Sequence, residues 1–184
     1  MNGGRAIRAA VLTASDRCSR GAAIDTSGPA VAELLANSLG AVIVAARCVP
    51  DDRAALAATF REWTRPEAGI DLAVSTGGTG LAPRDVTPEA ALEVIERRHD
   101  GLLELARIRC LARTPRTFLS RGVAGCAGRT LIVTLPGSPR GAVEMLEAML
   151  DVLPHAVETL RGEVQDDGRP GAVAIDGKVV EHRD

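Results

Sequence analysis

Tyrosine is absent from this chain of 184 residues, with only two phenylalanines and one tryptophan to supply aromatic surface. The stacking platforms of single-strand nucleic-acid binders therefore have no material here. Lysine occurs once, as Lys178, so no Gly-Lys-Ser/Thr sequence can close a Walker A loop. Positive charge rests on arginine, whose planar fork suits phosphate and carboxylate. The net charge of −2 gives no basic surface for nucleic acid. Cys18, Cys48, Cys110 and Cys126 form no C-x-x-C pair and read as scattered thiols of a reducing compartment. His99, His155 and His182 make no metal-ligand spacing with one another. No apolar run reaches membrane-spanning length, and the first residues hold no apolar signal core. These readings lead us to expect a cytoplasmic protein with neither a nucleic-acid nor a membrane partner.

Against those absences, 46% hydrophobic and 25% charged residues suit one globular domain with a full core. The most informative stretch is Thr76-Gly77-Gly78-Thr79-Gly80, followed by Leu81-Ala82-Pro83-Arg84-Asp85 and Val86-Thr87-Pro88. Glycines without Cβ let several backbone N–H groups converge on an anion. Thr87 reads as an N-cap with Pro88 at the first helical position, and Asp85 stands just outside that helix start. A donor-rich loop beside a carboxylate suits a magnesium-bound phosphate ester. A bare strand-to-helix loop needing glycine for its shape is the competing reading of the loop alone.

The rest of the chain alternates. Strands are expected at 6–13, 41–49, 72–75 and 130–135, with 41–49 covered on both faces. Helices are expected from Gly28-Pro29 to Gly40, over 53–64, 87–98 and 101–112, and from Pro139 with a kink or break near Pro154. Residues 14–26 and 120–128 read as connections. This order predicts an α/β three-layer sandwich over 1–163, its mostly parallel sheet covered by helices on both faces. Residues 164–184 read as a polar tail, with a linker at 165–171 and either a small hairpin around Asp176-Gly177 or disorder. Ligands of such sheets sit beyond the strand carboxyl ends. Four elements fall there: Ser15-Asp16, Pro50-Asp51, the 76–80 loop and Pro136-Gly137-Ser138.

Together these segments resemble the MogA/MoaB family of molybdenum-cofactor biosynthesis, including the G domains of plant and animal fusion proteins. The resemblance runs from about Ile7 to Gly162. It rests on Leu12-Thr13-Ala14-Ser15-Asp16-Arg17, Asp25-Thr26-Ser27-Gly28-Pro29, Val49-Pro50-Asp51-Asp52, residues 76–88, Phe118-Leu119-Ser120-Arg121 and Leu135-Pro136-Gly137-Ser138-Pro139. It implies a molybdopterin-binding fold, usually trimeric, in which the terminal phosphate of molybdopterin attacks the α-phosphate of ATP. Adenylyl-molybdopterin and pyrophosphate result, and a molybdenum insertase is a further implied partner. By motif position, Asp51 and Asp85 fall where the family has its catalytic and magnesium-binding carboxylates. Ser120 falls at a pterin-site hydroxyl, and Thr76, Gly77, Gly78, Thr79, Gly80, Pro136, Gly137, Ser138 and Pro139 fall on ligand-binding loops. Ser15, Asp16, Ser27 and Gly28 complete the expected substrate contacts. The family commonly has Asp-Glu where this chain has Asp51-Asp52.

Structural roles compete at each position. Asp51 and Asp52 can cap the helix after them, Ser138 can cap the helix at Pro139, and Ser120 alone is an ordinary loop serine. Arg84, Arg121 and Arg140 flank the motifs and could reach phosphate, although a solvated surface role is the simpler reading of each. Two other functions compete with the transferase: a MoaB-type protein that binds molybdopterin without adenylylation, and a competence-damage-type nucleotide pyrophosphatase domain.

Overall fold

The plan of the molecule follows from strand β1 (Arg8–Ala14). Ala9 and Val11 point to one side, Ala10 and Leu12 to the other, and all four are buried. A strand apolar on both sides belongs inside a sheet covered twice. The computed structural model describes residues 5–163 and the strand residues 174–175 and 178–179, and it places β1 there. The sheet adds β2 (Val42–Val49), β3 (Leu72–Thr76), β4 (Arg97–Arg98), β5 (Ala124–Ala127) and β6 (Thr130–Leu135). Their spatial order is β2-β1-β3-β6-β5-β4. The first four run parallel; beyond β6, β5 runs antiparallel to β6, and β4 runs antiparallel to β5.

Between and after the strands lie α1 (Asp16–Ser19), α2 (Ser27–Leu39), α3 (Arg53–Trp63), α4 (Thr87–Leu92), α5 (Asp100–Cys110), α6 (Pro139–Glu147) and α7 (Leu153–Arg161). On one face Leu35 of α2, Leu103 of α5, Met145 of α6 and Val157 of α7 meet Val11, Val74 and Val133. On the other, Phe60 and Trp63 of α3 and Ala91 of α4 meet Ala10, Leu12, Ala73 and Ile132. Small side chains on that second face leave room for the two large rings, so the layers interdigitate. Truncating Phe60 would open a cavity costing about 3–5 kcal/mol. The expected three-layer α/β sandwich is what the chain forms.

Helix ends follow local chemistry. The Asp25 carboxylate accepts the N–H groups of Ser27 and Gly28, both at 3.0 Å, and so starts α2. Gly40 ends it in the left-handed region at φ 60°. The expected break near Pro154 also occurs, since α6 and α7 are separate helices with Pro154 in the first turn of α7.

Four expectations need correction. The helix expected over 87–98 stops at Leu92. Beyond it, Glu96 donates its N–H to the Cys126 carbonyl at 3.0 Å and His99 to Ala124 at 2.8 Å, drawing the chain into β4. Long-range strand pairing overrides local helical periodicity there. The connection expected at 120–128 contains β5, hidden because two of its neighbours are glycines and its own side chains are small. The loop at 14–26 contains the single turn α1, capped by Ser15. Lastly, β2 is covered only in part: Ile43 packs toward one core layer and Val44, Ala45 and Val49 toward the other, but it is the sheet edge, with Val42, Ala46 and Arg47 exposed. Arg47 guards that edge through a two-pronged contact with Glu62, both bonds 2.8 Å, and lies over the Trp63 ring.

At the amino ends of β1 and β3 a buried ion pair closes the molecule. Arg161, at the end of α7, donates to both oxygens of Asp71 at 3.0 and 2.7 Å and to the carbonyls of Arg5 and Ala6. Burial alone would raise the Asp71 carboxyl. Hydrogen bonds from Arg161 and the Arg8 N–H, with the charges of Arg161 and Arg5, outweigh that and hold it below the ordinary aspartate value. In the tail, Ala174–Ile175 (β7) and Lys178–Val179 (β8) pair antiparallel. The linker expected at 165–171 and the turn at Asp176-Gly177 lie outside the described residues.

Candidate active site

Register decides where the site can be. Thr76 stands beside Thr13 on one side and Leu135 on the other, while Ala14 stands beside Val49. Four strands thus end level with one another, and the segments after Val49, Ala14, Thr76 and Leu135 emerge in a row. The chain moves from β1 outward to β2, then crosses back to β3, so the order reverses between β1 and β3. A sheet of this kind opens its crevice at that reversal.

The glycine loop fills the crevice. Gly77 has φ 99°, and a Cβ on it would stand 2.2 Å from the Ala14 carbonyl oxygen. Gly78 has φ 61°, and a Cβ there would stand 2.3 Å from Thr87 Oγ1 and 3.3 Å from Asp51 Oδ1. Only glycine allows both the turn and the approach. Thr76 Oγ1 donates to the Pro136 carbonyl at 2.6 Å, and the Gly77 N–H donates to Leu135 at 3.2 Å. These bonds lay the glycine loop against the 136–139 loop, as expected from two parallel neighbours. The N–H groups of Gly78, Thr79 and Gly80 donate to no partner among the described residues, which leaves a row of donors for an anion.

The two aspartates stand against this loop at different points. Asp51 accepts the Asp16 N–H through Oδ2 at 3.0 Å, with Oδ1 toward Gly78. It does not cap α3; Asp52 does, accepting the Ala55 N–H at 2.8 Å. Asp85 accepts the Ala82 N–H through Oδ2 at 2.9 Å and lies against Gly80. Each carboxylate is thus fixed by one oxygen, and Oδ1 of each makes no hydrogen bond among the described residues. No three His, Cys, Asp or Glu residues among the described residues are grouped to hold a metal ion. A hard cation here would take one or two carboxylate oxygens and draw its remaining ligands from phosphate and water, the usual habit of Mg2+.

Ser120 joins the site through its hydroxyl, 3.2 Å from Thr79 Oγ1. Ser138 caps α6, accepting the Gly141 N–H at 3.2 Å. It also lines a cavity of about 430 Å³ with Pro136, Thr114, Thr117, Arg116 and Arg140. Thr117 Oγ1 is buried there without a partner among the described residues. Ser15 caps α1, accepting the Cys18 N–H at 3.2 Å. Ser27 stands apart: it is buried and turned to Asp25, with Gly28 packed against Thr13. The structure therefore gathers Ser15, Asp16, Asp51, the 76–80 loop, Asp85, Ser120 and Pro136 with Gly137, and sets Ser27 into the start of α2. Cys48 stands near the end of β2. Burial first, then Cys18 and Asp25, push its thiol up to about 11.

Two arginines matter more than their sequence context announces. Arg107 holds the Ser120 and Gly122 carbonyls at 3.1 and 3.0 Å. Arg121 reaches Gly80, Asp85 and Glu89. Arg107 carries no local signal in the sequence, and Arg121, read there as an arginine flanking a motif, donates to carbonyls and to Glu89. Thr87, expected to cap α4, is instead its first residue: it is fully buried against Gly78, and its hydroxyl caps nothing and has no partner among the described residues.

Comparison with known proteins places this arrangement in context. Residues 10–155 match the family described as "Probable molybdopterin binding domain". The molybdopterin adenylyltransferase of Helicobacter pylori strain J99 is 38% identical over 157 residues, 85% of this chain and 89% of that protein. The molybdenum cofactor synthesis protein cinnamon of Drosophila melanogaster is 37% identical over 154 residues, 84% of this chain. The chain spans only 26% of the length of cinnamon. Among solved structures, the molybdopterin biosynthesis enzyme MoaB of Thermus thermophilus superposes with a TM-score of 0.79 at 48% identity, covering 85% of this chain and 97% of that one.

Proposed function

This chain belongs to the molybdopterin-binding domain family, and on that premise we propose that it is a molybdopterin adenylyltransferase of molybdenum-cofactor biosynthesis. A terminal phosphate oxygen of molybdopterin attacks the α-phosphorus of ATP. The new P–O bond forms as the bond to the α–β bridging oxygen breaks, and pyrophosphate leaves with that electron pair. Such a transfer needs positioning and charge neutralisation rather than a protein nucleophile. That requirement fits a site with no histidine among the described residues and with the nearby Cys48 thiol pushed up.

The observation that carries the reading is the pair of carboxylates on the glycine loop. Asp51 and Asp85 would hold Mg2+, which when bound supplies charge neutralisation at the phosphates. The N–H groups of Gly78, Thr79 and Gly80 would receive phosphate oxygens. Ser120 and the cavity beside Ser138 would receive the pterin end, where Thr117 offers a buried hydroxyl. We further propose a cytoplasmic homotrimer whose product passes to a molybdenum insertase. Support for the last comes from cinnamon, in which a matching segment occupies about a quarter of a longer cofactor-synthesis protein.

The test is direct. Pure protein incubated with molybdopterin, ATP and magnesium should yield adenylyl-molybdopterin, read by mass, with release of pyrophosphate. Tight molybdopterin binding without that product would instead favour the binding-only reading.

A further inference from the structure

We propose that Arg121 is the positioning residue that sets Asp85 against the glycine loop, and that it couples this loop to the Ser120 segment. The inference rests on the transferase reading above. Between Gly80 and Asp85 the chain makes an exposed turn, with Leu81, Ala82, Pro83 and Arg84 all open to solvent. An exposed turn of this length cannot by itself hold a carboxylate to a fraction of an ångström. The Asp85–Ala82 bonds close the turn upon itself but do not anchor it to the sheet.

Arg121 supplies the anchor. Its backbone N–H donates to the Thr79 carbonyl at 2.7 Å, and its Nε donates to the Gly80 carbonyl at 2.7 Å. One terminal nitrogen donates to the Asp85 carbonyl and the other to Glu89 on α4. A single planar fork therefore grips the loop before the turn, the loop after it and the helix that follows. Lysine has one nitrogen and no plane, so it cannot span three acceptors in this geometry. The donors of Arg121 face backbone carbonyls and Glu89, which makes it a holder of the site rather than a ligand for phosphate.

The same residue follows Ser120, whose hydroxyl touches Thr79. Adjacent residues thus connect the expected pterin subsite to the carboxylate expected at the metal. Displacement at Ser120 is passed to Asp85 through one residue's main chain and side chain. Sub-ångström placement is where such a coupling acts, since a misplacement of about 1 Å can cost roughly a hundredfold in rate.

Arg121→Lys and Glu89→Gln test the assignment against the parent protein. Four quantities are needed: melting temperature, KM for molybdopterin, kcat with its magnesium dependence, and amide hydrogen exchange across residues 79–86. In Arg121→Lys we expect kcat to fall roughly ten- to a hundredfold, with a higher half-saturating Mg2+ concentration and KM within about twofold of the parent. Exchange should quicken at 80–85 and stay unchanged in the core strands. Glu89→Gln, which keeps the fold and weakens one prong, should show the same changes to a smaller extent and decides the matter if the lysine variant does not fold. Parental kcat overturns the proposal, as does a loss carried by KM, which would make Arg121 a substrate contact. If the parent protein itself makes no adenylyl product, the transferase reading fails, and loop exchange alone decides. Faster exchange confined to 79–86 sustains the positioning role, and parental exchange overturns it.

Discussion

At the scale of single residues, the site separates neighbours that look equivalent in the sequence. Asp51 and Asp52 are adjacent carboxylates, yet the first turns back to Asp16 and the glycine loop while the second caps α3. Asp85 carries the sharpest expectation. Asp85→Asn keeps the shape and the acceptor for the Ala82 N–H while removing the charge. Adenylyl transfer should fall by about a hundredfold or more, with melting temperature and molybdopterin affinity near those of the parent. Near-normal turnover in that variant would refute the catalytic role. The residues of the loop were legible because glycine, proline and aspartate carry their conformational demands locally. The contacts of Arg121 and Arg107 were not, because their partners lie beyond their own segments: Arg121 is 41 residues from Gly80, and no local pattern encodes that distance.

Elements were legible where one face of a periodic run meets the core. The strand at 130–135 and the helix ending at Gly40 follow directly from their side chains. The pair β4 and β5 did not, since Gly125 and the small residues around it carry no strand signature, and their order comes from pairing with β6. At the opposite end of the sheet, one buried ion pair secures the end of α7. Because Asp71 is held below the ordinary aspartate value in the folded protein, its contribution is complete above the unfolded value of about 4 and is lost as the pH falls through the folded value. Asp71→Asn leaves Arg161 buried without its counter-charge. It should destabilise the protein by roughly 3 kcal/mol at neutral pH. Chemical denaturation from pH 7 down to pH 2 should show the gap between variant and parent narrowing in acid, and a gap constant with pH would exclude the linkage.

For the whole molecule, the sheet order could not be read from the chain, but its consequence could: elements after parallel strands gather at one end. Assembly is a separate matter. Ile108, Leu111, Phe118 and Leu119 are 48–65% exposed on α5 and the turn after it. Contiguous exposed apolar side chains of this kind mark interaction surfaces. Sedimentation equilibrium at micromolar concentration should give a trimer mass, and Ile108→Glu should lower it. A monomer mass for the parent would count against the assembly.

The buried pair that secures α7 has a second consequence, for connectivity. Arg161 donates to the Arg5 carbonyl at 2.8 Å, so a polypeptide enters and leaves the folded unit at nearly one spot, at the pole remote from the crevice. A domain with adjoining entrance and exit behaves as a plug-in module: sequence can be spliced on at either side without crossing the mouth of the site or pulling on the sheet. The fold is thereby suited to being carried within much longer polypeptides as readily as to working unaccompanied.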